Sequence, residues 1–201
     1  MNISLKLLTA ATLAILIVLP TAAVAGDGHS TVNKSISIDD NSTTGSVDSV
    51  NGSIRIGDNS FVKSVESVNG SIKLGNDVTV DRHVEAVNGA VTLQPGCEVG
   101  GDVETVNGEI RLQNTRVSGD VETVNGQIRI LERSEVSGNV MVRKPNGWSH
   151  NKRAKPVRVE IGEGVVVYGD LIFEHAVELR LHDTARVGEI IGDEVKMVGS
   201  S

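Results

Sequence analysis

Aromatic residues and cysteine are both scarce in this 201-residue sequence. It contains two phenylalanines, one tryptophan, one tyrosine and one cysteine. The single cysteine, Cys97, excludes an internal disulfide, so the fold must depend on its apolar core and its hydrogen bonds. We expect Cys97 to be a small buried side chain. The four aromatic residues are Phe61, Trp148, Tyr168 and Phe173.

Acidic residues outnumber basic ones, and long apolar runs are missing after residue 25. The segment from Gly26 to Ser201 holds all 26 acidic residues but 18 of the 19 basic ones, which gives a net charge of about −8. This balance argues against binding to nucleic acid or to anionic membranes. We therefore expect a soluble chain with no nucleic-acid partner and no membrane insertion.

The one long apolar run lies at the N-terminus and is typical of a signal peptide. A weakly basic start, "MNISLK", precedes the apolar stretch "LLTAATLAILIVL", and "AVA" before Gly26 supplies small residues for cleavage. The run is too short for a membrane anchor. We predict that residues 1–25 are removed on export, which places the protein in the periplasm, at the cell surface or outside the cell.

Motifs for catalysis and for cofactor binding are also missing. The histidines lack the close pairing of metal ligands, and there is no phosphate-binding loop and no Gly-x-Ser-x-Gly motif. Acidic pairs such as Asp102 and Glu104 recur along the chain, as structural positions do. The sequence predicts no enzyme activity, no metal and no cofactor. The five histidines are His29, His83, His150, His175 and His182.

One ten-residue motif occurs five times in the sequence, for example as "VETVNGEIRL" at 103–112. Its asparagines are 18, 19, 19 and 18 residues apart. So regular a period indicates a solenoid, and this length fits one turn of a parallel β-helix with three short strands. The repeated asparagines are Asn51, Asn69, Asn88, Asn107 and Asn125.

The repeat predicts an all-β, single-domain parallel β-helix, or β-solenoid, of about eight coils of 18–19 residues. Beyond the signal peptide, we assign residues 26–35 to an N-terminal cap or linker and residues 36–192 to the β-helix. Residues 193–201 form the C-terminal cap. Abundant glycine and β-branched residues favour short strands joined by tight turns.

Each position of the motif has a predicted role in one coil. In "EIRL", Ile110 and Leu112 point into the core and Arg111 points outward, by strand alternation. Both valines of "VETV" are expected to face inward. Gly108 is expected to supply the positive φ of a tight corner. The asparagine amides, stacked one coil apart, are expected to hydrogen-bond as a ladder rather than bind a ligand.

Stacked coils also align their charged residues into two columns. These columns predict either a solubilising surface or a surface for a repetitive partner, such as divalent cations or a glycan strand. The acidic column comprises Asp48, Glu66, Glu85, Glu104 and Glu122. The basic column, which Thr92 interrupts, comprises Arg55, Lys73, Arg111 and Arg129.

The repeat is interrupted once, by a predicted exposed loop at 143–158 that contains two prolines, the only tryptophan and no acid. An aromatic ring among cations can stack on a sugar while the cations hold carboxylates or phosphates. Alternatively, the ring covers the side of the rod and the charges are merely solvated. The candidate binding residues are Arg143, Lys144, Trp148, Lys152, Arg153 and Lys155.

Over residues 36–192 the elements "VGGDVET", "VSGDVET" and "VYGDLIF" resemble bactofilins, which are bacterial polymer-forming β-helix proteins. The "VNGSI" and "VNGEI" repeats are similar to those of bacterial adhesin-type repeat proteins. The bactofilin resemblance implies filaments that assemble end to end through apolar terminal coils, without a nucleotide. Typical bactofilins are cytoplasmic, whereas this chain carries a predicted export signal and has polar termini.

Together these features predict a secreted, non-catalytic structural protein of the bacterial envelope. It would be a scaffold or an adhesin-like protein, with itself as a partner in end-to-end assembly. The alternative is a protein that binds cell-wall polysaccharide or peptidoglycan through the basic loop. A polysaccharide-cleaving β-helix enzyme is the third alternative.

Overall fold

The computed structural model describes residues 28–145 and 155–199. These residues form 25 short strands and no helix, arranged in three parallel sheets that wind as a β-solenoid of about eight coils. The predicted fold class is therefore confirmed. The predicted signal peptide lies outside the described residues, as does most of the predicted loop at 143–158.

Each coil contributes one strand to each sheet in turn, and every strand pairs with its equivalents one coil before and one coil after. The first sheet contains nine strands: β1 (His29–Thr31), β4 (Val47–Ser49), β7 (Val65–Ser67), β10 (Val84–Ala86), β13 (Val103–Thr105), β16 (Val121–Thr123), β19 (Val140–Val142), β22 (Leu171–Phe173) and β24 (Ile190–Ile191). The second sheet also contains nine: β2 (Ile36–Ile38), β5 (Ile54–Ile56), β8 (Ile72–Leu74), β11 (Val91–Leu93), β14 (Ile110–Gln113), β17 (Ile128–Leu131), β20 (Val157–Ile161), β23 (Val177–Leu181) and β25 (Val195–Met197). The third sheet contains seven: β3 (Thr43–Thr44), β6 (Phe61–Val62), β9 (Thr79–Val80), β12 (Glu98–Val99), β15 (Arg116–Val117), β18 (Glu135–Val136) and β21 (Val166–Val167).

Two of these strands lie in the segments assigned to caps. Strand β1, within 26–35, pairs with β4, and strand β25, within 193–201, pairs with β23. Strand pairing in the described chain thus runs from His29 to Met197.

The core is a set of aliphatic columns between the three sheets. In strand β14, Ile110 and Leu112 are fully buried while Arg111 reaches solvent, as strand alternation requires. Burying one such aliphatic side chain contributes about 1.5–3 kcal/mol. The repeat therefore stabilises the rod coil by coil.

The second valine of the motif does not face inward, contrary to the prediction. In strand β13 the inward positions are Val103 and Thr105, both 0% exposed, and Val106 is half-buried at the following corner. Alternation simply continues through Thr105, because its hydroxyl donates to the carbonyl oxygen of Gly89 at 3.1 Å. A satisfied hydroxyl can be buried at little cost, so no bend in the strand is needed.

The glycine of the motif is required for a reason other than the one predicted. Among the described glycines only Gly96 and Gly164 have positive φ, at 83° and 65°. At Gly108, a Cβ would lie 2.6 Å from the carbonyl carbon of Gly89, one coil below, and would overlap its oxygen. The backbones of successive coils stack too closely at this corner for any side chain.

Positive φ occurs instead at the corner between the second and third sheets. Asparagine and aspartate tolerate this conformation better than other non-glycine residues, and they hold four of the six non-glycine positions. The residues with positive φ are Asn41, Asn59, Asp77, Gly96, Asn114, Glu132, Arg133 and Gly164.

Cys97 is 1% exposed, and its thiol donates to the carbonyl oxygen of Gly75 at 3.0 Å. Burial raises the pKa of this thiol to about 11, so little thiolate exists at neutral pH. We expect a thiol-disulfide reagent at pH 8 to leave Cys97 unmodified in the native protein and to modify it fully in denaturant. Absorbance of the released thiol measures this, and stoichiometric labelling of native protein would contradict the burial.

Candidate functional site

The asparagine ladder lies on the outer surface of the corner between the first and second sheets. Its side chains are exposed, and each Nδ2 donates to the Oδ1 of the asparagine one coil before. The bonds run Asn51 to Asn33 (3.0 Å), Asn69 to Asn51 (2.8 Å), Asn88 to Asn69 (2.9 Å), Asn107 to Asn88 (2.9 Å) and Asn125 to Asn107 (3.0 Å). Asn33 was missed by sequence reasoning because lysine, not glycine, follows it. The amides of the column are thus engaged with one another.

A second ladder explains the Gly-Asp elements that carry the bactofilin resemblance. The Oδ1 of Asp102 accepts the backbone N–H of Asp120 at 2.8 Å, and the Oδ1 of Asp120 accepts that of Asn139 at 2.8 Å. Asn139 and Asp170 continue the series with bonds of 2.9 Å. The carboxylates at this corner therefore serve as backbone acceptors between coils.

The acidic column occupies the outward position of the first sheet, in register from coil to coil. Its first three members are half-buried, and Glu104 and Glu122 are 6% and 4% exposed. Beside the column, His83 Nε2 lies 3.0 Å from Glu66 Oε1 and 4.0 Å from Glu85 Oε1. The column is therefore a packed row of titratable groups rather than a fully solvated stripe.

Packing shifts the pKa values of these groups in one direction. Burial, reinforced by the charge of Glu66, raises the pKa of Asp48 to about 6. Burial also raises the pKa of Glu85. The hydrogen bond to Glu66 raises the pKa of His83. All three groups hold protons more tightly in the folded state than in the unfolded chain.

The solenoid should be more stable at mildly acidic pH than at neutral pH. A raised pKa favours the protonated folded state, so this stability is present at low pH and is lost as pH rises towards the folded pKa values. For Asp48 the loss falls between about pH 4 and pH 6. We expect the free energy of unfolding to drop by about 1–3 kcal/mol between pH 4.5 and pH 7.5.

Urea unfolding at a series of pH values measures this drop. Asp48→Asn should reduce it, whereas Asp81→Asn, at an exposed position, should leave it unchanged. Stability that rises steadily with pH across this range would contradict the packing of the column.

An ion cluster anchors the chain where the predicted loop leaves the rod. Arg143 is 9% exposed, and its Nε lies 3.0 Å from Glu122 Oε2 while its Nη1 donates to Glu174 Oε1 at 3.0 Å. The other oxygen of Glu174 accepts the backbone N–H of Lys144 at 2.9 Å. Burial raises the pKa of Glu122 even though the Arg143 charge opposes this shift. Arg143 is thus committed to two carboxylates of the rod.

The six predicted loop residues do not share one described surface. Lys144 and Lys155 are exposed on either side of residues 146–154, which the structure does not describe, and Arg143 is buried. Trp148, Lys152 and Arg153 lie outside the described residues. The sequence also contained no sign of the buried His175, whose Nε2 donates to the carbonyl oxygen of Val124 at 2.9 Å. Because Glu174 and His175 stand outside the repeat, no pattern in the sequence marked them.

The basic column occupies the outward position of the second sheet, and it changes character along the rod. Arg55 and Lys73 are exposed, with Thr92 and Arg111 following in register. Further on, Arg129 donates to Glu160 at 2.7 Å. A shallow groove of about 510 Å³ opens on this part of the sheet.

Within the described residues, no group of three or more histidine, cysteine, aspartate or glutamate side chains is arranged to hold a metal ion. The described chain also contains no helix long and apolar enough to cross a membrane.

Comparison of the chain with protein-family models, with curated proteins and with solved structures finds no match.

Proposed function

We propose that this protein is an exported, non-catalytic structural component of the bacterial envelope, a scaffold or adhesin-like rod that assembles end to end. The observation that carries the proposal is the state of the two ends of the solenoid. Within the described residues, strands β1, β2 and β3 pair on one side only, and so do β24 and β25. Unpaired strand edges are templates for pairing with another chain.

The last coil presents apolar side chains at its open end. Ile190 and Met197, which are in register with the buried Leu171 and Leu179 of the preceding coil, are 42% and 56% exposed. At the opposite end Val32 is 48% exposed. Stacking a second copy on these coils would bury the apolar groups and continue the strand pairing.

The resemblance to bactofilins supports the same proposal, because a parallel β-solenoid is compatible with that family and bactofilins assemble through their terminal coils. The predicted signal peptide supports a location in the periplasm or at the cell surface. The arrangement of the carboxylates in columns supports a role without catalysis. A panel of acidic polysaccharides assayed for chain cleavage tests this last point, since cleavage would require an enzyme.

Sedimentation of the mature chain tests the assembly. We expect the sedimentation coefficient to rise with concentration for the wild type and for Phe61→Glu, an exposed apolar position on the side of the rod. The variant carrying Ile190→Glu and Met197→Glu should remain monomeric, because it places charges on the open end. Equal assembly of both variants would exclude the C-terminal coil as the interface.

A second candidate function is polysaccharide binding by the loop, which the exposure of Lys144 and Lys155 favours. A glycan array probed with the wild type and with Trp148→Ala tests it. Absent binding, or equal binding by both proteins, would dispose of this candidate.

A further inference from the structure

We propose that the outward face of the second sheet binds an extended polysaccharide that carries carboxylate groups. This surface is distinct from the loop and from the two ends, so the inference stands independently of end-to-end assembly. It rests on the placement of cations along one face of an acidic protein.

Cations recur along one row of outward positions from β5 to β23, interrupted by Thr92 and Glu160. The outward positions, in register, are Ser37, Arg55, Lys73, Thr92, Arg111, Arg129, Glu160 and Arg180. Within the described residues, neither Arg55 nor Lys73 forms an ion pair with a carboxylate. These two exposed cations, about 4.8 Å apart along the rod, are available to an anionic ligand.

The groove at the far end of the row is also cationic at its rim. The side chains of Arg158 and Arg180 are 72% and 50% exposed, whereas those of Glu178 and Glu160 are 29% and 27% exposed. The guanidinium groups therefore reach solvent above the carboxylates that hold them. An anionic ligand that enters this groove of about 510 Å³ would meet Arg158 and Arg180 before Glu178 and Glu160. Glu109, which pairs with Arg129, also lines the groove and is 39% exposed.

Hydroxyl groups accompany the cations in the first half of the row. Ser53 and Ser71 are exposed, each two residues before its cation, Arg55 or Lys73. A serine hydroxyl both donates and accepts hydrogen bonds, so it can pair with sugar hydroxyls. The combination of cations and hydroxyls on a flat sheet suits a linear ligand that offers both carboxylates and hydroxyl groups.

The charge density of the face favours an acidic glycan over a nucleic acid. Duplex DNA carries one charge per about 1.7 Å of its axis, and the protein's net charge of about −8 would repel it. The cations here occur at most once per coil, at a spacing of about 4.8 Å. A polymer with one carboxylate per sugar ring matches this lower density more closely.

The test uses polygalacturonate, a linear polymer of uronic acid, and the mature wild-type chain in isothermal titration calorimetry at low and at moderate salt. We expect binding that weakens with salt, and no binding to dextran, a neutral glycan. The double variant Arg55→Ala with Lys73→Ala should bind roughly three- to tenfold more weakly. Its salt dependence should also be shallower, because fewer charge contacts remain.

The matched control removes the same charge from another face of the neighbouring coils. Lys63 and Arg82 are exposed and stack one above the other at the corner between the third and first sheets. We expect Lys63→Ala with Arg82→Ala to bind as the wild type does. Urea unfolding of both double variants should match the wild type, since all four side chains are exposed.

Three outcomes would overturn the proposal. The first is no binding of polygalacturonate by the wild type at low salt. The second is equal weakening in the two double variants, which would indicate attraction by charge alone without a defined face. The third is duplex DNA binding as tightly as polygalacturonate, which would assign the face to polyanions in general.

Discussion

Replacing Gly108 with alanine is expected to reduce the free energy of unfolding by about 3 kcal/mol or more. The added Cβ would overlap the backbone carbonyl of Gly89, and neither backbone can move without disturbing the strands on both sides. The flexible end of a side chain could shift to make room for the added Cβ, but the stacked backbone cannot. Urea denaturation followed by circular dichroism measures the loss.

Gly199→Ala is the control for this prediction, because a Cβ at that position meets no atom within 4 Å. We expect it to change stability by less than about 0.5 kcal/mol. If Gly108→Ala were equally neutral, the close stacking of coils at the asparagine corner would be wrong.

Replacing Arg143 with methionine is expected to cost about 3–5 kcal/mol, because it leaves a buried carboxylate without its counter-charge. Glu122 is 4% exposed and lies 3.0 Å from the Arg143 guanidinium. Methionine retains most of the arginine stem, so the loss measures charge more than packing. Thermal and urea unfolding at pH 7.5 both report it.

A second substitution separates charge from packing at this site. With Glu122→Met added to Arg143→Met, the unpaired charge disappears, and we expect most of the lost stability to return. Arg116→Met is the exposed comparison, since Arg116 pairs with Glu98 on the surface and each side chain is more than half exposed. It should cost less than about 1 kcal/mol. A cost at Arg143 no larger than this would contradict the buried cluster.

The period of the repeat was sufficient to predict the architecture. Each coil repeats the same alternation of apolar and polar residues. Ile110 and Leu112 could therefore be placed in the core, and Arg111 outside it, from the sequence alone. Stacking then follows from the fixed interval between asparagines, and with it the column in which Asn107 donates to Asn88. Local rules repeated at a constant spacing determine these features.

Features that depend on contacts between coils could not be predicted in the same way. Glycine at position 108 suggested a positive φ, whereas its actual requirement is the nearness of Gly89, which no single coil reveals. Positive φ occurs at the opposite corner on residues as different as Asn59 and Arg133. The sequence suggested that Arg143 is an exposed cation of the loop, because its partner Glu174 is 31 residues away and outside the repeat.

We propose that the coils form a rod whose ends, rather than a catalytic site, carry its function. Negative-stain electron microscopy of the mature chain over a range of concentrations tests it most directly. We predict particles of constant width whose length increases with concentration in steps of about 40 Å. Each step corresponds to the length of one subunit, which is about eight coils at about 4.8 Å per coil. Particles of a single length at every concentration would contradict end-to-end assembly, as would growth in width alone.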